Sequence, residues 1–157
     1  LISTFFGYGY LTKIPGTVTS LVTTVFIYIA YEYLGYTDLK FSIIFFTLLF
    51  FYSFYAVKDA ESEFKNKDPR QIVIDEVLGQ AMPLILVLYL SQNNQLSLQI
   101  EIYYVLSFIF FRFFDILKPF PVSYFDKNFK NYFGIIMDDI MAGLYSMLLI
   151  YLISLKF

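Results

Sequence analysis

Residues 135–155 read IIMDDIMAGLYSMLLIYLISL, and no residue between Ile140 and Leu155 is charged. A run of that length and character suits a helix crossing the ~30 Å hydrocarbon core of a bilayer, which takes about 17–25 apolar residues. Four further stretches read the same way on either side of a polar connection: 17–36, 39–57, 74–90 and 102–117. Charged residues are 15% of the 157, against ~25% in soluble domains, so a water-facing surface would be hard to furnish. The mean hydropathy of +0.65 agrees. The expected fold is therefore all-α, a polytopic membrane bundle forming one domain over 1–157. It has about five membrane helices and a short amphipathic helix at 122–133 resting on the membrane interface.

Local signals divide these stretches. Gly35 suits the end of the first helix, and Thr37 with Asp38 the cap and first turn of the second. The second should run on into AVKDAESEFKN, where Glu61/Lys65 and Glu63/Lys67 have the favourable i,i+4 order, and Asp68-Pro69 should end it. Pro83 is expected to kink the third. With the N-terminus inside, Lys13, Lys58, Lys65, Lys67, Arg70, Lys118, Lys127 and Lys130 all fall on the inner side. Only Lys40 and Lys156 fall outside, as the positive-inside rule requires. The sequence opens on Leu1, which suggests a short preceding piece, and shows no signal-peptide pattern.

Cys and His are both absent. Disulfides, zinc-thiolate sites and thiol nucleophiles are excluded, as are Ser-His-Asp catalysis and a phosphohistidine. The net charge of −2 gives no basic face for nucleic acid. Chemistry must run on carboxylates, Lys, Arg, hydroxyls and backbone.

The acids are not scattered evenly. Asp75-Glu76 opens the third stretch, Asp115 closes the fourth and Asp138-Asp139 opens the fifth, so all five meet at one membrane boundary in this layout. Neighbouring helical residues point about 100° apart, so each pair spans an arc able to grip an ion from one side. An all-oxygen set suits Mg²⁺ or Mn²⁺ better than zinc. Two plainer readings stand beside this one. Acids favour helix N-termini anyway, which would account for both pairs, and Arg112 could simply pair with Asp115. Gly79, Ala81, Ala142, Gly143 and Ser146 would let two helices approach closely beneath the carboxylates. Arg112 and Lys118 could bind phosphate oxygens, Lys118 being followed by a stiff PFP turn, or Lys118 and Lys13 could merely snorkel. TKIPGT at 12–17 would place Lys13 and Thr17 at a helix start, a natural anion site, although capping explains it as well.

IVIDEVLG (72–79), FRFFDILKPFPVSYFD (111–126) and GIIMDDIMAG (134–143), in that order, resemble the phosphatidylglycerophosphatase A family. GYGYLTKIPGT and DPRQ fit the same pattern, and the resemblance covers essentially the whole chain. Thr19 stands where members commonly carry Gly, and Phe120 replaces a usual Trp. The resemblance implies Mg²⁺-dependent hydrolysis of the membrane lipid phosphatidylglycerophosphate to phosphatidylglycerol and inorganic phosphate. It also implies a bacterial inner membrane, with the site on the cytoplasmic face. On this reading Asp75, Glu76, Asp138 and Asp139 hold the metal, with Asp75 and Asp139 also catalytic. Asp115 is a further ligand or the base for attacking water, while Lys118, Arg112, Lys13 and Thr17 bind substrate. Direct attack by water and an aspartyl-phosphate stay open, as does the oligomeric state. A small cation transporter is the alternative; it would place acids near mid-membrane or on both sides. A membrane scaffold would have no use for acidic pairs.

Overall fold

The computed structural model describes residues 14–63 and 72–156, without the side chains of 61–63. Its centre is a helix, α3 (Ile74–Gln92), apolar on every side. Such a helix needs cover all round. That cover comes from α1 (Pro15–Glu32), α2 (Leu39–Glu63), α4 (Ile100–Leu117) and α6 (Tyr132–Lys156), each packed against α3. A short α5 (Val122–Asn128) lies against α6. No strand occurs among the described residues.

The all-helical expectation holds, with five long helices and one short. Three of them are long and apolar enough to cross a membrane: Leu39–Ala60, Ile74–Gln92 and Tyr132–Lys156. The remaining two long helices are shorter or more polar. Each has 18 residues; α4 carries Glu101, Arg112 and Asp115, and the inner face of α1 is hydroxylic. In α1 the buried residues include Thr19, Ser20, Thr23 and Thr24, whereas Leu21, Val25, Phe26 and Ile29 point outward. Ser20 and Thr24 satisfy their hydroxyls on the carbonyls of Gly16 and Ser20, at 2.9 and 2.8 Å. Small and hydroxylic residues inside with apolar residues outside are the pattern of helices that associate in lipid. The same holds for α2, where Phe41, Phe45, Leu48, Phe51 and Tyr55 are exposed.

Several boundaries moved. The first helix ends at Glu32 rather than 36, closed by Tyr33 N–H to Ile29 O at 3.0 Å and followed by Gly35 at φ +70°. Asp38 caps α2 as expected, accepting the N–H groups of Lys40 and Phe41 at 2.8 and 3.2 Å. The interfacial segment ends at Asn128, not 133, because Asn131 starts a new helix by accepting the Gly134 N–H at 3.2 Å. Within α4, Tyr104 and Phe111 are buried, whereas Val105, Ile109 and Phe113 are exposed. Asp68-Pro69, the two Glu/Lys pairs and Lys13 lie outside the described residues.

What matters for the site is direction. The starts of α1, α3 and α6 and the end of α4 meet at one end of the bundle. Gly16 faces Glu76 and Arg112 there, and Gly79 faces Phe111 and the Asp139 backbone. The opposite end closes over an apolar cluster of Tyr31, Leu84, Val87, Leu88, Leu90, Tyr103, Tyr104 and Ile150.

Candidate active site

Two glycines set the site. A Cβ on Gly79 would stand 2.7 Å from the Asp139 carbonyl, and one on Gly143 would stand 2.6 Å from the Gly79 carbonyl. Helices α3 and α6 therefore touch backbone to backbone, as the small residues led us to expect. Asp75 lies four residues before Gly79, and Asp139 four before Gly143. One turn from the contact, the two acids consequently face each other. Carboxylate oxygens of Asp75, Glu76 and Asp139 all lie within 4.8 Å of one another. Asp75 and Asp139 are buried, and Glu76 is wedged against Gly16, where any side chain would collide with its carboxylate.

These acids form the floor of a cleft of about 440 Å³. Thr17, Arg112, Asp115, Lys118, Asp126, Lys130 and Asp138 also line it, so every described site residue expected from the sequence is in one place. The acids are not equivalent, however. Asp138 lies outside the three-acid group: its Oδ2 accepts from Lys118 Nζ at 2.6 Å and its Oδ1 from the Asp139 N–H at 3.1 Å. Lys118 also donates to Asp126 at 2.8 Å. It is the left-handed cap of α4 (φ 45°), a position that turns the chain toward α5. Burial works against its charge, but Asp138 and Asp126 outweigh that and hold the ammonium above its ordinary range. Burial would likewise raise the Asp126 carboxyl, yet Lys118 draws it below its usual value.

Arg112 Nη1 stands 2.6 Å from Asp115 Oδ2, so the plain ion pair foreseen for these two is present. It is close without being aligned as a hydrogen bond, for the buried Nη1 and Nε both lack a hydrogen-bond acceptor among the described residues. The other plain reading divides. Asp75 and Glu76 are in the first turn of α3, where the dipole favours them. No acid is in the first turn of α6, which begins at Tyr132; Asp138 and Asp139 sit a turn deeper, beyond that help.

A divalent cation fits the floor. Asp115, Asp126 and Asp138 each have a cationic partner, whereas Asp75, Glu76 and Asp139 form no salt bridge among the described residues. Asp75 Oδ1 and Glu76 Oε2 are buried without a hydrogen-bond partner there. Three clustered carboxylates, two buried and one half-buried, repel one another, and hard oxygen donors suit Mg²⁺, which binds at about 2.0–2.1 Å. The sequence pattern marks no role in the site for Asp126 or Lys130: Asp126 is the last residue of the 111–126 motif, and Lys130 falls in the interfacial segment. Gly16 falls within the TKIPGT turn, but its closeness to Glu76 is not legible there.

The family model described as phosphatidylglycerophosphatase A matches residues 1–154. A Haemophilus influenzae protein of that name is 34% identical over 154 residues, covering 98% of this chain and 87% of the relative. An Escherichia coli protein, also named phosphatidylglycerophosphatase A, is 28% identical over 98% of this chain and 82% of its own. A Bacteroides thetaiotaomicron protein provisionally named a phosphatidylinositol-3-phosphatase is 35% identical over 96% of this chain and 89% of its own. No solved structure matches.

Proposed function

Since this chain belongs to the phosphatidylglycerophosphatase A family and is a phosphatase, we propose that it removes the terminal phosphate of phosphatidylglycerophosphate in a Mg²⁺-dependent reaction. The observation that carries this reading is the group of three carboxylates from α3 and α6, two buried and one half-buried, set at the floor of a cleft that also holds Arg112. The cleft opens at the end of the bundle that gathers Lys58, Arg112, Lys118, Lys127 and Lys130, which supports a cytoplasmic orientation in a bacterial inner membrane.

Asp75, Glu76 and Asp139 would hold the ion, which supplies charge neutralisation to the phosphoryl group. Arg112, whose Nε and Nη1 lack hydrogen-bond acceptors, offers them to phosphoryl oxygens, and its ion pair with Asp115 fixes the guanidinium for that task. Thr17 lies in the first turn of α1, before the first intrahelical bond made by Val18 N–H, so its backbone N–H has no helical acceptor and suits an anion. We assign Asp115 the proton of the attacking water. The bond between phosphorus and the glycerol oxygen breaks, the oxygen takes the proton that Asp115 received, and the lipid alcohol and inorganic phosphate leave. Asp138 anchors Lys118, and together they wall the cleft on the side of α5. Lys13 would reach the substrate from outside the described residues.

The test is phosphate release from phosphatidylglycerophosphate in detergent micelles. Magnesium should sustain turnover, EDTA should abolish it, and Asp139→Asn should lower kcat by about 10³ or more at unchanged expression and folding. Turnover that survives EDTA, or an active Asp139→Asn protein, would refute the assignment. Phosphatidylinositol 3-phosphate, run alongside, should be the poorer substrate. Cation flux in vesicles without phosphate release would favour the transporter.

A further inference from the structure

Resting on the reading above, we propose that Lys130 is a specificity-determining residue, which receives the second, diester phosphate of the substrate. Three described cations line the cleft, graded by depth. The side chain of Arg112 is 14% exposed, that of Lys118 30% and that of Lys130 55%. The two deeper ones are engaged, Arg112 with the terminal phosphate in the reading above and Lys118 with carboxylates. Arg112 is 2.6 Å from Asp115, and Lys118 is clasped by two carboxylates at 2.8 and 2.6 Å, so its single charge is more than cancelled. Lys130 stands 3.9 Å from Asp126, beyond hydrogen-bond reach, and retains its donors.

Position supports the same role. Lys130 belongs to the short link between α5 and α6, at the mouth of the cleft. Beside it, Phe129 lines the cleft and packs on Phe125 and Phe133, with centroids 5.9 and 5.4 Å away. An ammonium next in sequence to such an aromatic cluster suits the point where a headgroup ends and acyl chains begin. A lipid whose terminal phosphate reaches the acidic floor must leave its other phosphate nearer the mouth. Between the two ends runs the chain of contacts Asp138–Lys118–Asp126–Lys130. The substrate's two phosphates, joined by one glycerol, would lie along that wall. A substrate lacking the diester would forgo the outer contact.

Product inhibition separates the two positions. Phosphatidylglycerol carries only the diester phosphate, and inorganic phosphate stands in for the terminal one. Lys130→Gln should raise the KM for phosphatidylglycerophosphate and the Ki of phosphatidylglycerol by about tenfold, the scale of one partly exposed charge-assisted contact. The Ki of inorganic phosphate should stay at the wild-type value. Lys130→Arg should restore both constants, and Lys127→Gln, an equal loss of charge that does not line the cleft, should leave them unchanged. The proposal is overturned if Lys130→Gln matches wild type, if Lys127→Gln has the same effect, or if the phosphate Ki rises in step. Any of these leaves hydrolysis of the lipid standing. A wild-type protein inactive on phosphatidylglycerophosphate would instead remove both readings.

Discussion

The two ends of this bundle are built from the same helices on opposite terms. At the far end α1, α3, α4 and α6 close over an apolar cluster, and the polar groups around it are matched. Tyr103 and Ser97 share a hydrogen bond of 2.7 Å, Tyr31 donates to Ser42 at 3.2 Å, and Tyr104 to Glu32 at 3.3 Å. At the cleft end, buried oxygens and guanidinium nitrogens lack hydrogen-bond partners among the described residues, three carboxylates crowd together, and backbones meet where side chains would interfere. One end supplies stability that the other spends on an unfavourable charge arrangement, which the proposed ion and a phosphate would relieve. Functional sites commonly carry such a cost.

If that division is right, substitutions should sort by end. The largest effect is expected from Gly79→Leu, whose side chain would meet the Phe111 ring and the Asp139 carbonyl. Activity should vanish and thermal stability in detergent should drop, because the clash strikes both the packing and the site. Asp75→Asn comes next. It should cost about 10³ in kcat or more, while the magnesium-free protein melts no lower than wild type and preferably higher, since a repelling charge has gone. A lower melting temperature for that variant would blur the division between ends.

Leu84→Ala at the far end should do the reverse. Leu84 is fully buried, so truncation should cost about 2–4 kcal/mol of stability with kcat within about twofold of wild type. The smallest effect is expected from Asp126→Asn, at the cleft wall: KM should rise a few-fold as Lys118 loses one of its two anchors. The Asp126 carboxyl titrates below its ordinary value in the folded protein, so its pairing stabilises the fold above about pH 3.9 and fades as pH falls below it. Melting curves taken between pH 3 and 6 should show that acid-side loss in wild type and not in Asp126→Asn.

Much of the cleft end could be read from the sequence, and for a physical reason. In so apolar a chain each boundary acid stands out, and the glycines that follow at a spacing of four announce a close helix crossing. The division of labour between Asp138 and Asp139 could not be read. Adjacent residues on a helix face different neighbours, and only the placement of α5 shows that Asp138 turns to Lys118. Which face each helix buries was also beyond the sequence. Composition alone does not reveal that α1 turns its hydroxyls inward, or that Tyr104 and Phe111 of α4 are core rather than lipid-facing. Gly16 needed coordinates altogether, because its role is to make room for a side chain from another helix.

The contact between Gly79 and Gly143 has one more consequence. The gap between facing carboxylates is gauged by how near two main chains can come, not by side-chain length, so for the proposed ion the crossing would work as a caliper of radius. A single methyl group there, as in Gly143→Ala, would have to open the jaws. Mg²⁺ binds oxygen at about 2.0–2.1 Å and Ca²⁺ at about 2.3–2.6 Å, so the widened variant should trade preference for the smaller ion toward the larger.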